Sequence, residues 1–246
     1  MPRDSFLSDF LKYLAHIAPK EESPQLPSLF ELSKDLGVSI SALREQLEVA
    51  KALGLVEVRP RTGIRRRSYS FYPAVLQSLS YGLELSPDNF RLFADLRNRL
   101  EASYWEEAVR LLAREDCIEL NNLVNLAWKK LRGTPVQIPH TEHRQFHLLI
   151  YRRLNNPFVL GILEAYWEAY EAIGLSLYTD YGYLRQVWEY HQSMADAISS
   201  RNIAAGYQAL VAHRDLLFHR PDGTAEVEYP GFKNNQEETT ILGDQD

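Results

Sequence analysis

The sequence has little of what a secreted or membrane protein needs. It holds one cysteine in 246 residues, which excludes a disulfide within the chain and is typical of a reducing compartment. No apolar run approaches the roughly 20 residues of a membrane-spanning helix, and the first residues are too acidic and too interrupted for a signal peptide. With 45% hydrophobic and 24% charged residues, we expect a soluble globular protein in the cytoplasm and no membrane partner.

An overall basic charge is also lacking, since the net charge is −6. Its distribution is uneven: residues 1–72 carry 11 Lys and Arg against 9 Asp and Glu, and residues 73–246 carry 16 against 24. A modestly positive segment followed by an acidic one disfavours general nucleic-acid binding and fits binding at specific DNA sites.

Residues 29–50 have the pattern of a helix-turn-helix. Apolar residues at helical spacing in 29–36 are followed by Gly37, which suits a helix stop. Ser39 and Ser41 are suitable N-caps for a second helix, in which Leu43 and Leu47 share one face. The second helix of such a motif can enter the major groove of DNA.

A small β wing follows this motif. Residues 55–58 alternate as a strand does, and we expect residues 69–72 to return as the partner strand. The tip between them is rich in arginine, with Gly63 at the turn. These arginines either contact DNA or are only a solvated surface. The candidate DNA-binding residues are Ser39, Ser41 and Arg44 in the second helix and Arg59, Arg61, Arg65, Arg66 and Arg67 in the wing.

In this stretch the chain resembles the DNA-binding domain of the GntR family of bacterial transcription regulators. The family usually has arginines where this chain has Phe30 and Ile40, so some DNA contacts are expected to be weakened or redirected, and residues 65–67 can compensate. The matching residues are Leu26-Pro27-Ser28, Glu31-Leu32, Leu36-Gly37-Val38-Ser39, Arg44-Glu45, Leu47, Gly54-Leu55-Val56, Arg59-Pro60 and Gly63.

From residue 73 onward the strand patterns vanish and helical ones take over. We predict a mainly α protein, in which an N-terminal winged helix-turn-helix (1–72) and a linker (73–87) precede an antiparallel all-helical bundle (88–220). An acidic tail (221–246) has the composition of a disordered segment. The predicted bundle helices span 88–114, 117–132, 140–154, 157–178, 183–199 and 202–219.

Four histidines in the bundle have positions that suit a metal site. His143 and His147, at i and i+4, project from one face of a helix, and His191 and His213 lie on two later helices. Facing helices of a bundle can bring such residues to one metal ion. Spacing alone leaves open that they are ordinary surface or hydrogen-bonded core histidines.

The predicted helical bundle (88–220), which we call the body, resembles the FCD-type ligand-binding domain of the FadR-like branch of the same family. Arg97, Leu100 and Glu101 match its first long helix, and His143 stands where the family has an aspartate, three residues before Phe146 and His147. In many relatives one carboxylate and three imidazoles bind a divalent metal that helps to hold a small carboxylic acid. The resemblance therefore implies Zn²⁺ or Ni²⁺ at His143, His147, His191 and His213, where an imidazole in place of a carboxylate makes the site more positive.

Arg97 is the candidate for holding the effector, because a guanidinium pairs with a carboxylate in a bidentate way. The alternative is an ion pair with Glu101, one helical turn away.

These observations favour a non-enzymatic regulator that binds operator DNA as a homodimer and responds to a small carboxylic acid. Two other hypotheses stay open. One is a helical metalloenzyme that uses the same histidines, although the sequence has no HExxH motif and no Gly-rich phosphate loop. The other is a degenerate regulator that has lost its metal or its effector.

Overall fold

A computed structural model describes residues 6–17, 25–61, 63–174 and 180–216, except for the side chains of residues 214 and 215. The acidic tail predicted at 221–246 lies outside the described residues.

The N-terminal unit, which we call the head, forms three helices and a two-stranded sheet. Ser28 caps α2 (Leu29–Leu36), accepting a hydrogen bond from the Glu31 amide, while the Glu31 carboxylate accepts one from the Ser28 amide. Gly37 ends α2 in the left-handed conformation and Ser39 caps α3 (Ile40–Ala52), as predicted. The elements are α1 (Asp9–His16), α2 (Leu29–Leu36), α3 (Ile40–Ala52), β1 (Val56–Arg59) and β2 (Gly63–Arg66).

The wing is shorter than we predicted. The strand that pairs with β1 is β2, in the register Val58↔Ile64 and Arg59↔Gly63, and residues 69–72 are not a strand. The partner strand comes earlier in the chain than predicted because Ile64 is the apolar residue that packs into the core of the head, in the same cluster as Val56. The pairing register is the one that buries Ile64. As a consequence, Arg65 and Arg66 lie on the return strand and not at the tip.

The rest of the described chain is helical, and the prediction of a winged helix-turn-helix followed by a helical bundle is confirmed. The six predicted helices all form, with shifted boundaries, and the ends predicted at residues 178 and 219 lie outside the described residues. Asp116 explains why one of these helices begins earlier than predicted. Its carboxylate accepts a hydrogen bond from the Ala113 amide, so the helix begins at Arg114 and not at 117. The helices are α4 (Tyr72–Leu85), α5 (Asn89–Leu111), α6 (Arg114–Leu131), α7 (His140–Tyr151), α8 (Pro157–Ala172), α9 (Tyr181–Ser199) and α10 (Ile203–Leu216).

Helix α4, which covers most of the predicted linker, packs closely on α8. Leu79 and Leu83 are buried in an apolar cluster with Phe90 and Tyr166. At Gly161 of α8 a Cβ atom would lie 2.6 Å from the Tyr72 backbone nitrogen, so only glycine permits this close approach of the two helices.

The largest apolar cluster of the described residues draws on α5 to α10, and the histidines described below lie between it and the cluster on α4 and α8. None of the helices in the described part of the chain has both the length and the apolar character needed to cross a membrane.

Candidate metal centre

Four histidines from three helices meet inside the body. Helix α7 supplies His143 and His147, α9 supplies His191, and α10 supplies His213. One ring nitrogen from each lies within 4.8 Å of those of the others, and the residues are only 9%, 0%, 0% and 2% exposed. The structure thus brings together all four residues that the sequence singled out; metal binding by them stays a prediction.

The orientation of His191 is fixed by its neighbour in the helix. Its Nδ1 lies 2.7 Å from the Val187 carbonyl oxygen, and because a carbonyl can only accept, Nδ1 carries the proton. Nε2 is therefore left with a free lone pair, which is the form that binds a metal.

His147 faces that lone pair, since its Nε2 is 3.1 Å from Nε2 of His191. Two nitrogens bound to one tetrahedral zinc at about 2.0–2.1 Å lie roughly 3.3 Å apart, so this spacing suits a shared ion. The same distance also allows a hydrogen bond, with His147 as the donor.

Two further ring nitrogens have no hydrogen-bond partner among the described residues: Nε2 of His143 and Nδ1 of His213. Buried polar atoms are rarely left unpaired, because each one costs the free energy of its lost hydration. Both belong to the cluster, so the donor set fits a divalent ion that accepts nitrogen ligands.

Burial keeps these histidines neutral. It is the main cause that lowers the pKa of His143, and the three other histidines lower it further. Burial also lowers the pKa of His147 and His213 well below the ordinary range and that of His191 to about 4. At neutral pH all four imidazoles are therefore available as ligands.

A buried ion pair lies behind His147. Arg97 Nη2 is 2.8 Å from Glu101 Oε1, and the two side chains are each 2% exposed. Nδ1 of His147 is 2.9 Å from Arg97 Nη2 and 3.2 Å from Glu101 Oε1. Burial raises the pKa of Glu101 to about 7, although Arg97 and His191 act to lower it. The ion pair that we considered as the alternative role of Arg97 is thus present.

Arg97 is also held by its other neighbours. Its Nη1 donates to Asn98 Oδ1 at 3.2 Å, and its guanidinium lies over the rings of Tyr166 and Trp167, at 4.7 and 5.2 Å from their centroids. Only Nε has no partner among the described residues. An acid that binds Arg97 must therefore either accept a hydrogen bond from Nε or displace one of the protein groups that Arg97 now contacts.

Aromatic side chains form one wall of the cluster. The ring of His143 is 4.7 Å from that of Trp167 and 6.2 Å from those of Tyr170 and Trp188, measured between centroids. Trp167 and Trp188 are each 1% exposed. The structure therefore places two buried tryptophans against the histidines.

In the head, the candidate DNA-binding residues differ in exposure. Ser41 and Arg44 are exposed on α3, and Arg59, Arg61 and Arg67 are exposed in the wing. Arg65 is half-buried, and so is Arg66, whose Nη1 donates to the Ile17 carbonyl at 2.7 Å. Ser39 is exposed and caps α3. Phe30, which replaces an arginine of the family, is 71% exposed.

Sequence reasoning missed Asn98. It is 4% exposed, supports Arg97 and lines a small pocket with Arg97, Glu101 and His213. The only sign in the sequence was its position next to Arg97, which does not distinguish a buried asparagine from an exposed one.

Comparison with known proteins finds similarity to an FCD domain and to bacterial transcription regulators. The profile of the FCD domain matches residues 93–216, just over half of the chain. The Uxu operon regulator of Haemophilus influenzae is 25% identical over 218 residues, which is 85% of this chain and 77% of that protein. The Uxu operon transcriptional regulator of Escherichia coli K12 is 25% identical over 215 residues, or 82% and 80%.

A solved structure of Streptococcus agalactiae GntR has the same fold. It superimposes with a TM-score of 0.60 at 21% identity and covers 85% of this chain and 95% of its own.

Proposed function

Because this chain belongs to the FCD-domain branch of the GntR family of transcription regulators, we propose that its body controls DNA binding by its head through a divalent metal and a small carboxylic acid. The observation that carries the proposal is a buried cluster of four neutral histidines, one of which, His147, contacts Arg97. The metal is Zn²⁺ or Ni²⁺, since both accept sets of imidazole ligands.

The head reads an operator in duplex DNA. The N-terminal part of α3, with Ser39, Ser41 and Arg44, enters the major groove, and the exposed wing arginines contact phosphates or the minor groove. Two copies of the chain form a homodimer in the cytoplasm and place two heads on a pseudo-palindromic site.

Within the body, His143, His147, His191 and His213 would hold the metal. When bound, it supplies positive charge that neutral imidazoles lack, and so favours an anion beside it. Arg97 orients the carboxylate of the acid through its remaining donor, and Glu101 keeps His147 in position. The histidines then act as a regulatory site and not a catalytic one.

The control of DNA binding is a linkage between two sites. An acid that binds differently to two arrangements of the chain changes operator affinity, and operator DNA changes the affinity for the acid by the same factor. One set of contacts supports this coupling. Tyr72 begins α4, the helix that follows the head, and it packs against Gly161 of α8. The same helix α8 carries Trp167, whose ring contacts His143.

Elemental analysis tests the metal. We expect about one equivalent of transition metal per chain in the parent and none in the double variant His147→Ala/His191→Ala. The matched control is His16→Ala/His140→Ala, since both of these histidines are exposed, and it should keep the metal. No metal in the parent, even after supply of Zn²⁺ and Ni²⁺, would show that the histidines are structural.

A separate experiment tests the head. Preferred duplexes are selected from a random pool with the full chain, and affinity is measured by fluorescence anisotropy. We expect Arg44→Ala to weaken binding at least about tenfold. Arg91→Ala removes an exposed arginine of the body and should have no effect. Equal loss in both variants would contradict the assignment of the head.

A further inference from the structure

The first residue of α3 carries an apolar side chain that the core of the head does not use. Helix α3, the second helix of the helix-turn-helix, begins at Ile40, and its buried residues are Leu43, Leu47 and Ala50. Ile40 is half-buried. Among the described residues, it belongs neither to the apolar core of the head nor to the side chains packed against that core. Its apolar surface is therefore available for another contact.

The neighbours of Ile40 are polar and exposed. Ser41 and Arg44 are both exposed, and Arg44, four residues further on, lies beside Ile40 on the helix surface. In a helix-turn-helix the N-terminal residues of the second helix contact the edges of bases in the major groove. Ile40 is thus an apolar residue in the segment of α3 that reaches the bases.

The chemistry of isoleucine limits what this side chain can contact in the groove. It has no hydrogen-bond donor or acceptor, so it cannot pair with the polar edge groups of adenine, guanine or cytosine. The 5-methyl group of thymine is the apolar group that the major groove offers. A polar edge group against isoleucine would lose water without gaining a hydrogen bond, which costs free energy. Both effects favour thymine at the contacted position.

We propose that Ile40 is a specificity-determining residue of the head, and that its side chain packs against the 5-methyl group of one thymine in each operator half-site. This inference rests on the proposed function, because it assumes that α3 enters the major groove. The GntR family usually has an arginine at this position, and arginine typically pairs with guanine. The preference for thymine is therefore a property of this chain and not of the family.

Removal of a single methyl group from the DNA tests the proposal. The preferred duplex is selected from a random pool with the full chain, and each thymine in turn is replaced by deoxyuridine, which lacks only the 5-methyl group. Affinity is measured by fluorescence anisotropy. We expect the replacement at one position of the half-site to weaken binding about fourfold. At that position 5-bromodeoxyuridine, whose bromine has nearly the size of a methyl group, should restore the affinity.

Variants assign the sensitive methyl group to Ile40. Ile40→Ala leaves the Ser39 cap in place and removes the atoms that would reach the thymine. We expect this variant to bind the thymine and deoxyuridine duplexes with nearly equal affinity, whereas Ile40→Val should keep most of the parental ratio. Val49→Ala is the matched control, because Val49 is an exposed apolar residue near the other end of α3, and it should keep the whole ratio. Urea unfolding checks that each variant folds, and Ile40→Ser gives the same test if Ile40→Ala does not fold.

Two results would overturn the proposal while DNA binding by the head stands. If no deoxyuridine replacement weakens binding by the parent, the head reads no thymine methyl group. If Ile40→Ala keeps the parental ratio at the sensitive position, another residue contacts that methyl group. A third result, in which the full chain selects no preferred duplex, would contradict the proposed function of the head and this inference with it.

Discussion

The Nε2 atoms of His147 and His191 lie 3.1 Å apart. Without a metal, the three contacts form a chain of hydrogen bonds with a consistent direction. Arg97 donates to Nδ1 of His147, Nε2 of His147 donates to Nε2 of His191, and Nδ1 of His191 donates to the Val187 carbonyl. A metal at Nε2 of His147 requires the proton on Nδ1 instead, where Glu101 Oε1 at 3.2 Å can accept it. Arg97 Nη2, 2.9 Å from the same nitrogen, can only donate, so it must move away from His147 in the metal-bound state.

Glu101 should for this reason tune metal affinity without being a ligand. We expect Glu101→Gln to weaken metal binding by about 10- to 100-fold, because the variant loses the charged acceptor behind His147. Competition with a chromogenic chelator measures the affinity. Glu142→Gln changes a buried carboxylate of α7 that pairs with Lys130, and should leave it unchanged. Equal affinity of parent and Glu101→Gln would mean that His147 is oriented by other contacts.

The wing arginines should fall into two groups. We expect Arg61→Ala and Arg67→Ala to weaken DNA binding and each to reduce the salt dependence by about one phosphate contact. Arg66→Ala should instead destabilise the head by about 1 kcal/mol, since Arg66 donates to the Ile17 carbonyl. Anisotropy at several salt concentrations and urea unfolding distinguish the two effects. A large loss of DNA affinity in Arg66→Ala, with unchanged stability, would assign Arg66 to DNA.

Gly161 should be intolerant of any side chain. A Cβ there would lie 2.6 Å from the Tyr72 nitrogen and 2.9 Å from the Phe71 carbonyl carbon, so the backbone must move. We expect Gly161→Ala to lower the free energy of unfolding by about 1–3 kcal/mol in urea unfolding. Gly182→Ala is the control, because among the described residues its Cβ would meet only the Asp180 carboxylate, at 3.4 Å. Equal stability of the two variants would rule out a tight contact between the start of α4 and α8.

Asp116 should make stability depend on acidic pH. It is buried and bonded to Arg152 and Arg153. Burial acts to raise its pKa, but hydrogen bonds from Arg153, the Ala113 amide and Arg152 outweigh it and lower the pKa from 3.8 to about 2. The stabilisation is thus complete above pH 3.8 and is lost as the pH falls towards 2.

We expect Asp116→Asn to be less stable than the parent by about 1–3 kcal/mol at pH 7 and to lose less stability between pH 4 and pH 2. Urea unfolding at several pH values measures both. Glu119→Gln removes the half-exposed partner of Arg152 and should change stability by less than about 1 kcal/mol. Parallel pH profiles for parent and Asp116→Asn would contradict the assignment.

The sequence by itself determined the order of elements and the members of the histidine cluster. Caps at Ser28 and Ser39, the stop at Gly37 and the helical spacing of His143 and His147 are local properties, which short stretches of chain specify. The resemblance to a known family added Arg97 and Glu101, and it covered nearly all of the described chain.

Only the tertiary structure decided the contacts between distant segments. The strand expected at residues 69–72 was wrong, because burial of Ile64 beside Val56 places the return strand earlier. The contact of Arg97 with His147, and the burial of Asn98, follow from how α5 packs against α7 and α10. Packing determines which polar atoms are removed from water, and the local sequence pattern does not contain that information.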